Sequence, residues 1–260
     1  MTRALTFILI PFIFASCASS PLDRRQVVLY SDSEMAQQGE RSYRQMQQEI
    51  PNSQDNREIR YVQCVADHII AALDDSQRSQ GDWEVTVFDQ DQANAFALPG
   101  GKIGVYNGLF DTAVNQHQLA AVIAHEVGHV LANHSNERMS QSTIRNVGVA
   151  TAQILGVSAA TLELVDMAAQ LGLFLPFNRT QESEADSIGV LLMANAGFDP
   201  NQSVLLWENM SVGADPRPPE LLSTHPSPDS RIRELQRRMV EANALMLSAR
   251  SRGLSPDCTR

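Results

Sequence analysis

The sequence is short of positive charge: 20 Lys and Arg stand against 30 Asp and Glu, giving a formal net charge of -10 and a pI near 5.0. Nucleic-acid binders concentrate Lys and Arg on one face, so this balance argues against a phosphate-tracking surface, and no nucleic-acid partner is expected. Cysteine is scarce, with three residues in 260. A long apolar run is also lacking beyond the first residues. The stretch from Asn146 to Leu162 has no charged side chain, but a span needs about 20 predominantly apolar residues. This one carries Thr151, Gln153, Ser158 and Thr161 and is closed by Glu163 and Asp166. It reads as a pair of small-residue helices packed on the domain, with a cover over the active site, between residues 140 and 176, as the sharper reading. No internal repeat divides the chain. With 43% hydrophobic and 19% charged residues, it holds enough apolar material for one sizeable core.

What is present begins at the N-terminus. Met-Thr-Arg precedes the apolar run Ala-Leu-Thr-Phe-Ile-Leu-Ile-Pro-Phe-Ile-Phe, then Ala15-Ser16-Cys17, the layout of an export signal. Small residues before a cysteine resemble the bacterial lipobox, although Phe14 stands where Leu is most frequent; Cys17 would then be lipid-bearing. Ala18 and Ser19, with no Asp behind Cys17, resemble sorting to the outer membrane. The expected organisation is a lipoprotein signal peptide over 1–16, a lipidated tether over 17–32, a catalytic domain over 33–250 and a tail over 251–260. Two readings of the remaining cysteines are open: a Cys64–Cys258 bridge in a compartment where disulfides persist, or Cys64 as a small buried helix residue.

Ser31 or Ser33 is placed to cap a helix that Pro51 stops. A second helix is predicted from Arg57 to Leu73, where Ile59, Val62, Val65, Ala66, Ile69, Ile70 and Leu73 recur at spacings of three and four. Trp83–Phe88, Asn94–Leu98 and Lys102–Tyr106 read as strands, the last two joined by a hairpin at Gly100-Gly101. Helical signal then holds almost to the end, with breaks near Gly156, Pro176, Gly197 to Pro200 and residues 215–219. His68 reads as a surface or locally satisfied residue, and His117 as a surface residue.

The chemistry concentrates in His125-Glu126-Val-Gly-His129. Histidines four apart on a helix are offset by about 40°, so both imidazoles reach one ion. Two neutral nitrogens suit zinc, and Glu126 beside them suits proton abstraction from a water at the metal. His134 lies nine residues past His125, about 900° on, which puts it on the opposite side of the helix; nor does Ala132 with Ser135 match the metzincin spacing. The third ligand is expected from Glu182, which shares a helix face with Asp186 four residues later. On this reading Glu182 binds the ion and Asp186 accepts the free N–H of a ligand histidine. Glu184 points about 200° away and reads as a solvated charge.

Taken together, Asn94-Ala-Phe-Ala-Leu-Pro-Gly-Gly101, His125–His129, Arg179-Thr-Gln-Glu-Ser-Glu-Ala-Asp186 and Thr224-His-Pro226 resemble the CAAX prenyl protease and HtpX-like zinc metallopeptidases, in particular their periplasmic lipoprotein branch of beta-barrel assembly-enhancing type. The resemblance implies an α+β fold, a mostly helical zincin-like gluzincin with a small sheet beside the active-site helix, and one Zn2+ per chain on His125, His129 and Glu182. It also implies that Asn94, Ala95, Phe96, Ala97 and Leu98 form an edge strand on which an extended substrate lies. His225 falls where that family has a histidine near zinc, either bonding the oxyanion or blocking the site as a fourth ligand. Arg231 is expected to support the same loop. The expected activity is endoproteolysis of unfolded or misassembled envelope proteins, outer-membrane proteins among them, by an enzyme anchored through Cys17 at the periplasmic face of the outer membrane. Two rival readings are a chaperone or assembly factor using the same cleft with little cutting, and an exopeptidase, for which no terminus-anchoring feature is visible.

Overall fold

Ser31 opens the first long helix, α1 (Asp32–Glu49), with a reciprocal cap. Its side chain accepts from the Glu34 N–H while the Glu34 carboxylate accepts from the Ser31 N–H, which satisfies two groups that a helix start and its entry leave open. The computed structural model describes residues 17–154, 178–212, 225 and 228–260. Ahead of α1 stand two short strands, β1 (Cys17–Ser19) and β2 (Arg25–Val27), paired antiparallel. Helix α2 (Asn56–Ala71) buries Tyr61, Val62, Val65, Ala66 and Ile69. Ile59 from the predicted stripe is 38% exposed, because it sits about 90° from the centre of that buried face. A single turn, α3 (Asp75–Arg78), leads into the sheet.

The sheet is three-stranded. Its central strand β5 (Lys102–Tyr106) runs parallel to β3 (Glu84–Phe88) and antiparallel to β4 (Ala95–Leu98), so β4 is an edge. Gly100 and Gly101 turn β4 into β5 with φ of +84° and +80°, the left-handed region that glycine enters without a Cβ clash. All of β5 is buried. In β4, buried Ala95 and Ala97 alternate with half-buried Phe96 and Leu98, as the pleat requires.

Helix α4 (Gln116–Leu131) is buried without interruption from Gln118 onward. The sequence suggests one strong apolar side; in the fold the polar side is covered too, since α2, β4, α6 (Arg179–Asn195) and α7 (Asn201–Val212) pack around α4. Glycine sets the α4–α6 crossing. A Cβ at Gly128 would stand 2.9 Å from the Ala185 carbonyl oxygen, and one at Gly189 would stand 2.8 Å from the His125 amide nitrogen. Helix α5 (His134–Ile154) follows α4 directly, and α8 (Pro228–Ser251) closes over α6 and α7.

Two terminal segments are docked on the domain. Residues 17–32 were expected as a polar tether, yet the β1–β2 hairpin folds onto the domain with Ser20 and Gln26 buried, because Arg24 pairs with Glu137 of α5 and Glu184 of α6. The tail after α8 is docked as well: the Cys258 N–H donates to Gln116 Oε1, Gln116 Nε2 donates to the Pro256 carbonyl, and Cys64 and Cys258 form a disulfide. The covalent reading of the two cysteines is the one the fold adopts. Gly156, Pro176 and residues 215–219 lie outside the described residues, as does the part of the 140–176 cover beyond Ile154. Among the described residues no helix is long and apolar enough to cross a membrane.

Candidate metal centre

Helix α4 carries His125 and His129 one turn apart, and their Nε2 atoms converge to 3.0 Å. Glu182, in the first turn of α6, brings its carboxylate to 3.6 Å from His125 Nε2 and 3.4 Å from His129 Nε2. His225 points Nδ1 into the same space, 3.3 Å from His125 Nε2 and 3.0 Å from each Glu182 oxygen. All four side chains are buried. A tetrahedral ion with ligands at roughly 2.0–2.1 Å holds neighbouring donors about 3.3–3.4 Å apart, so a spread of 3.0–3.6 Å fits a zinc-sized cation. Three imidazoles and one carboxylate are also the donor types that zinc favours.

Glu126 faces this cluster from the same turn of α4. Its Oε1 is buried, accepts no hydrogen bond among the described residues, and lies 3.4 Å from His225 Nε2. Burial raises the Glu126 pKa, against the pull of His225 and His125. Glu182 is the opposite case: burial disfavours its charge, but His125, His129 and His225 overcome this and hold the carboxyl well below its ordinary range. Burial also pushes His129 down, which favours the neutral, ligating form. For His125, burial and Arg231 push down while Asp186 and Glu182 push up further, to about 9.

Asp186 and Arg231 hold the far side of His125. His125 Nδ1 lies 3.0 Å from Asp186 Oδ1, and Arg231 donates to both Asp186 oxygens at 2.7 and 2.5 Å. Arg231 Nη2 is also 3.0 Å from His125 Nδ1, but when that nitrogen carries its proton both are donors, so Asp186 is the orienting partner. Arg231 Nη1 stands 3.0 Å from Glu182 Oε2, and the guanidinium lies 3.6 Å above the Trp207 ring. Arg231, 1% exposed, neutralises the two carboxylates of α6; the loop it was expected to support lies outside the described residues apart from His225.

Comparison with known proteins agrees with this geometry. The model of peptidase family M48 matches residues 56–239. The chain belongs to peptidase family M48. It is 39% identical to the mitochondrial metalloendopeptidase OMA1 of Schizosaccharomyces pombe over 188 residues, covering 70% of this chain and 53% of that protein. Against the human mitochondrial metalloendopeptidase OMA1 the identity is 30% over 248 residues, 89% of this chain and 47% of the relative. The beta-barrel assembly-enhancing protease of Yersinia pestis is 29% identical over 218 residues, 80% of this chain and 44% of the relative. The chain thus spans about half the length of these relatives. The expected enzyme class, a zinc metalloendopeptidase, agrees with the family and with these relatives' names.

Two residues of this M48 domain differ from their reading in the sequence. His134 does not face away, because α4 ends at Leu131 and Asn133 reverses the chain with a φ of +54°. His134 Nδ1 therefore lies 2.8 Å from His129 Nδ1, while staying outside the four converging donors. Glu184 is buried rather than solvated: its Oε2 is 3.1 Å from His134 Nε2, and it accepts from Arg24 Nε at 2.7 Å and from Ser20 Oγ. Burial disfavours its charge, but His134, Ser20 and Arg24 outweigh that and lower its pKa to about 2. His117, expected at the surface, is half-buried instead, because it accepts from the Asp199 N–H at 3.3 Å.

The predicted substrate strand is the edge strand β4, which packs along α4. Asn94 O accepts from the Tyr106 N–H, and antiparallel alternation then aims the Ala97 N–H and C=O away from β5. Residues Pro99 and Gly100 line a small cavity together with His129. Cys17 begins β1.

Proposed function

We propose that this chain is a zinc-dependent endopeptidase of a bacterial cell envelope, anchored by lipid on Cys17 at the periplasmic face of the outer membrane, that cleaves unfolded or misassembled envelope polypeptides. The observation that carries the catalytic part is the convergence of His125, His129, Glu182 and His225 at zinc spacing beside the buried Glu126 carboxylate, whose Oε1 accepts no hydrogen bond among the described residues. One zinc per chain would polarise the scissile carbonyl and lower the pKa of a water toward about 7. Glu126 takes the proton of the attacking water and delivers it to the leaving amine; its raised pKa suits a group that must both accept and return a proton. Asp186 fixes the tautomer of His125, leaving Nε2 as donor to the ion. The open edge of β4 offers backbone pairing to an extended segment, a mode that reads shape more than sequence and suits unfolded substrates.

His225 would hold the ion as a fourth ligand beside His125, His129 and Glu182, an arrangement that would close the site to water. Turnover would then require His225 to leave the ion, and its imidazole would bond the developing oxyanion instead. The same observation favours the rival reading, a chaperone that holds clients on β4 and rarely cuts. Envelope placement rests on Ala15-Ser16-Cys17 and on similarity to the beta-barrel assembly-enhancing proteases.

The test is digestion of unfolded casein by the zinc-loaded mature chain, with Glu126→Gln and chelator-treated protein alongside. Loss of the general base is expected to slow cutting by about 10²–10⁴-fold. Equal cutting by parent and variant would sink the mechanism, and no cutting by either would favour the chaperone.

A further inference from the structure

We infer that His134 and Glu184 are positioning residues for the ligand His129, and that the relay they form makes zinc binding depend on the N-terminal hairpin through Arg24. The inference rests on the zinc reading above. It starts from a proton count. With Nε2 of neutral His129 on the ion, Nδ1 carries the proton and must donate. An acceptor stands at 2.8 Å, His134 Nδ1. His134 can accept there only as the tautomer with its proton on Nε2, and that N–H faces Glu184 Oε2 at 3.1 Å. Glu184 in turn accepts from Arg24 Nε at 2.7 Å and from Ser20 Oγ. Every donor meets an acceptor from the ion to the hairpin, and only one assignment of tautomers satisfies all of them.

The relay is built rather than incidental. His134, Glu184 and Ser20 are all buried, where an unpaired polar group costs enough that the arrangement must be complete. The backbone pays for the approach with a non-glycine residue at positive φ, Asn133, directly before His134. Arg24 is fixed from its other end by paired bonds of 2.7 Å to both Glu137 oxygens, and Gln181 Nε2 braces Glu137 at 2.8 Å. A histidine ligand whose second nitrogen is held by a hydrogen-bonded partner keeps its ring orientation and gains basicity, and loss of such a partner weakens metal binding by about 10–100-fold. Cys17 is the first residue of the hairpin, so whatever pulls on an anchored N-terminus pulls on this relay.

The experiment measures zinc affinity of the mature chain by competition with a chromophoric chelator, together with the visible absorption of the Co2+ form and the melting temperature of the metal-free form. Parent, His134→Ala, His134→Asn, Glu184→Gln and Arg24→Ala are compared, with the surface change Arg41→Ala as control. His134→Ala and Glu184→Gln are expected to weaken zinc binding by about 10–100-fold and to shift the Co2+ spectrum. Arg24→Ala should follow with a smaller loss, about threefold to tenfold, because it acts one bond further out. His134→Asn, which keeps an acceptor and a donor, should recover part of the loss seen in His134→Ala. Zinc affinities within about twofold of parent, with only melting temperatures lowered, would overturn the relay and leave packing as the role of these residues. If His134→Ala does not fold, Glu184→Gln decides, since it preserves volume. A parent chain that binds no zinc would instead defeat the metal reading itself, which separates the two failures.

Discussion

His125 and His129 are neighbours on one face of α4, yet they are held by different kinds of structure. His125 is oriented from within: Asp186, Arg231 and Trp207 come from α6, α8 and α7, and the chain of contacts ends in the core with Arg231 1% exposed. His129 is oriented from without: His134 and Glu184 lead to Arg24, whose side chain is 22% exposed and belongs to a hairpin of three-residue strands. The first arrangement is as stable as the domain. The second can be released by local opening of one small element, since short exposed elements open at lower free energy than the core.

Breaking the inner arrangement has the largest expected effect. Arg231→Met leaves Asp186 and Glu182 buried with their shared cation gone, and removing one partner of a buried charge cluster costs about 3–5 kcal/mol. The metal-free protein should therefore melt well below the parent in a calorimetric scan. A bound zinc ion should restore part of the difference, because it supplies positive charge to Glu182. A metal-free variant as stable as the parent would mean that Arg231 is not what neutralises α6.

The C-terminal tail sharpens the comparison, since it is a second terminal segment docked on the domain but away from the ligands. Its disulfide joins Cys258 to Cys64 across a separation of 194 residues, and loss of such a bridge costs about 2–4 kcal/mol, chiefly by freeing the unfolded chain. Cys258→Ala should lower stability by that amount while leaving zinc affinity at the parent value. A drop in zinc affinity comparable to that of Arg24→Ala would show that any loosened terminus disturbs the site and would remove the special place of the hairpin.

Much of the inner arrangement is legible in the sequence, and most of the outer one is not. Glu182 and Asp186 follow from a four-residue spacing on α6, because both must face α4. The same reasoning fails for Glu184: helix geometry says which way a side chain points, not whether something waits there, and here a polar hairpin with no apolar signature covers the far face. His134 was misplaced by extending α4 past its end. The one local sign was Asn133, a residue that tolerates the left-handed conformation better than most. The strands, the Gly100-Gly101 turn and the cap at Ser31 were legible because short-range chemistry fixes them. Arg231 lies far along the chain from its carboxylate partners, and no local pattern announces that pairing.

The smallest expected effect tests how the hairpin is held. Burial disfavours the Glu137 carboxylate, but Arg24 and Gln181 more than compensate and hold its pKa below the ordinary value. A carboxyl whose pKa is lower folded than unfolded contributes stability above its unfolded value, near 4.5, and that contribution is lost as pH falls toward the folded value. Arg24 stays charged throughout, so the change belongs to the carboxyl. Glu137→Gln should therefore lower the melting temperature at pH 7 by a few degrees, as a loss of about 1 kcal/mol does. Below pH 4.5 the gap from the parent should shrink steadily. Amide exchange in residues 25–27 should rise in step with that shrinkage in the parent if the Arg24–Glu137 pair is what docks the hairpin. A gap that stays constant with pH would transfer the docking to the buried Ser20 and Gln26 contacts, and the outer relay would then be held by packing rather than by charge.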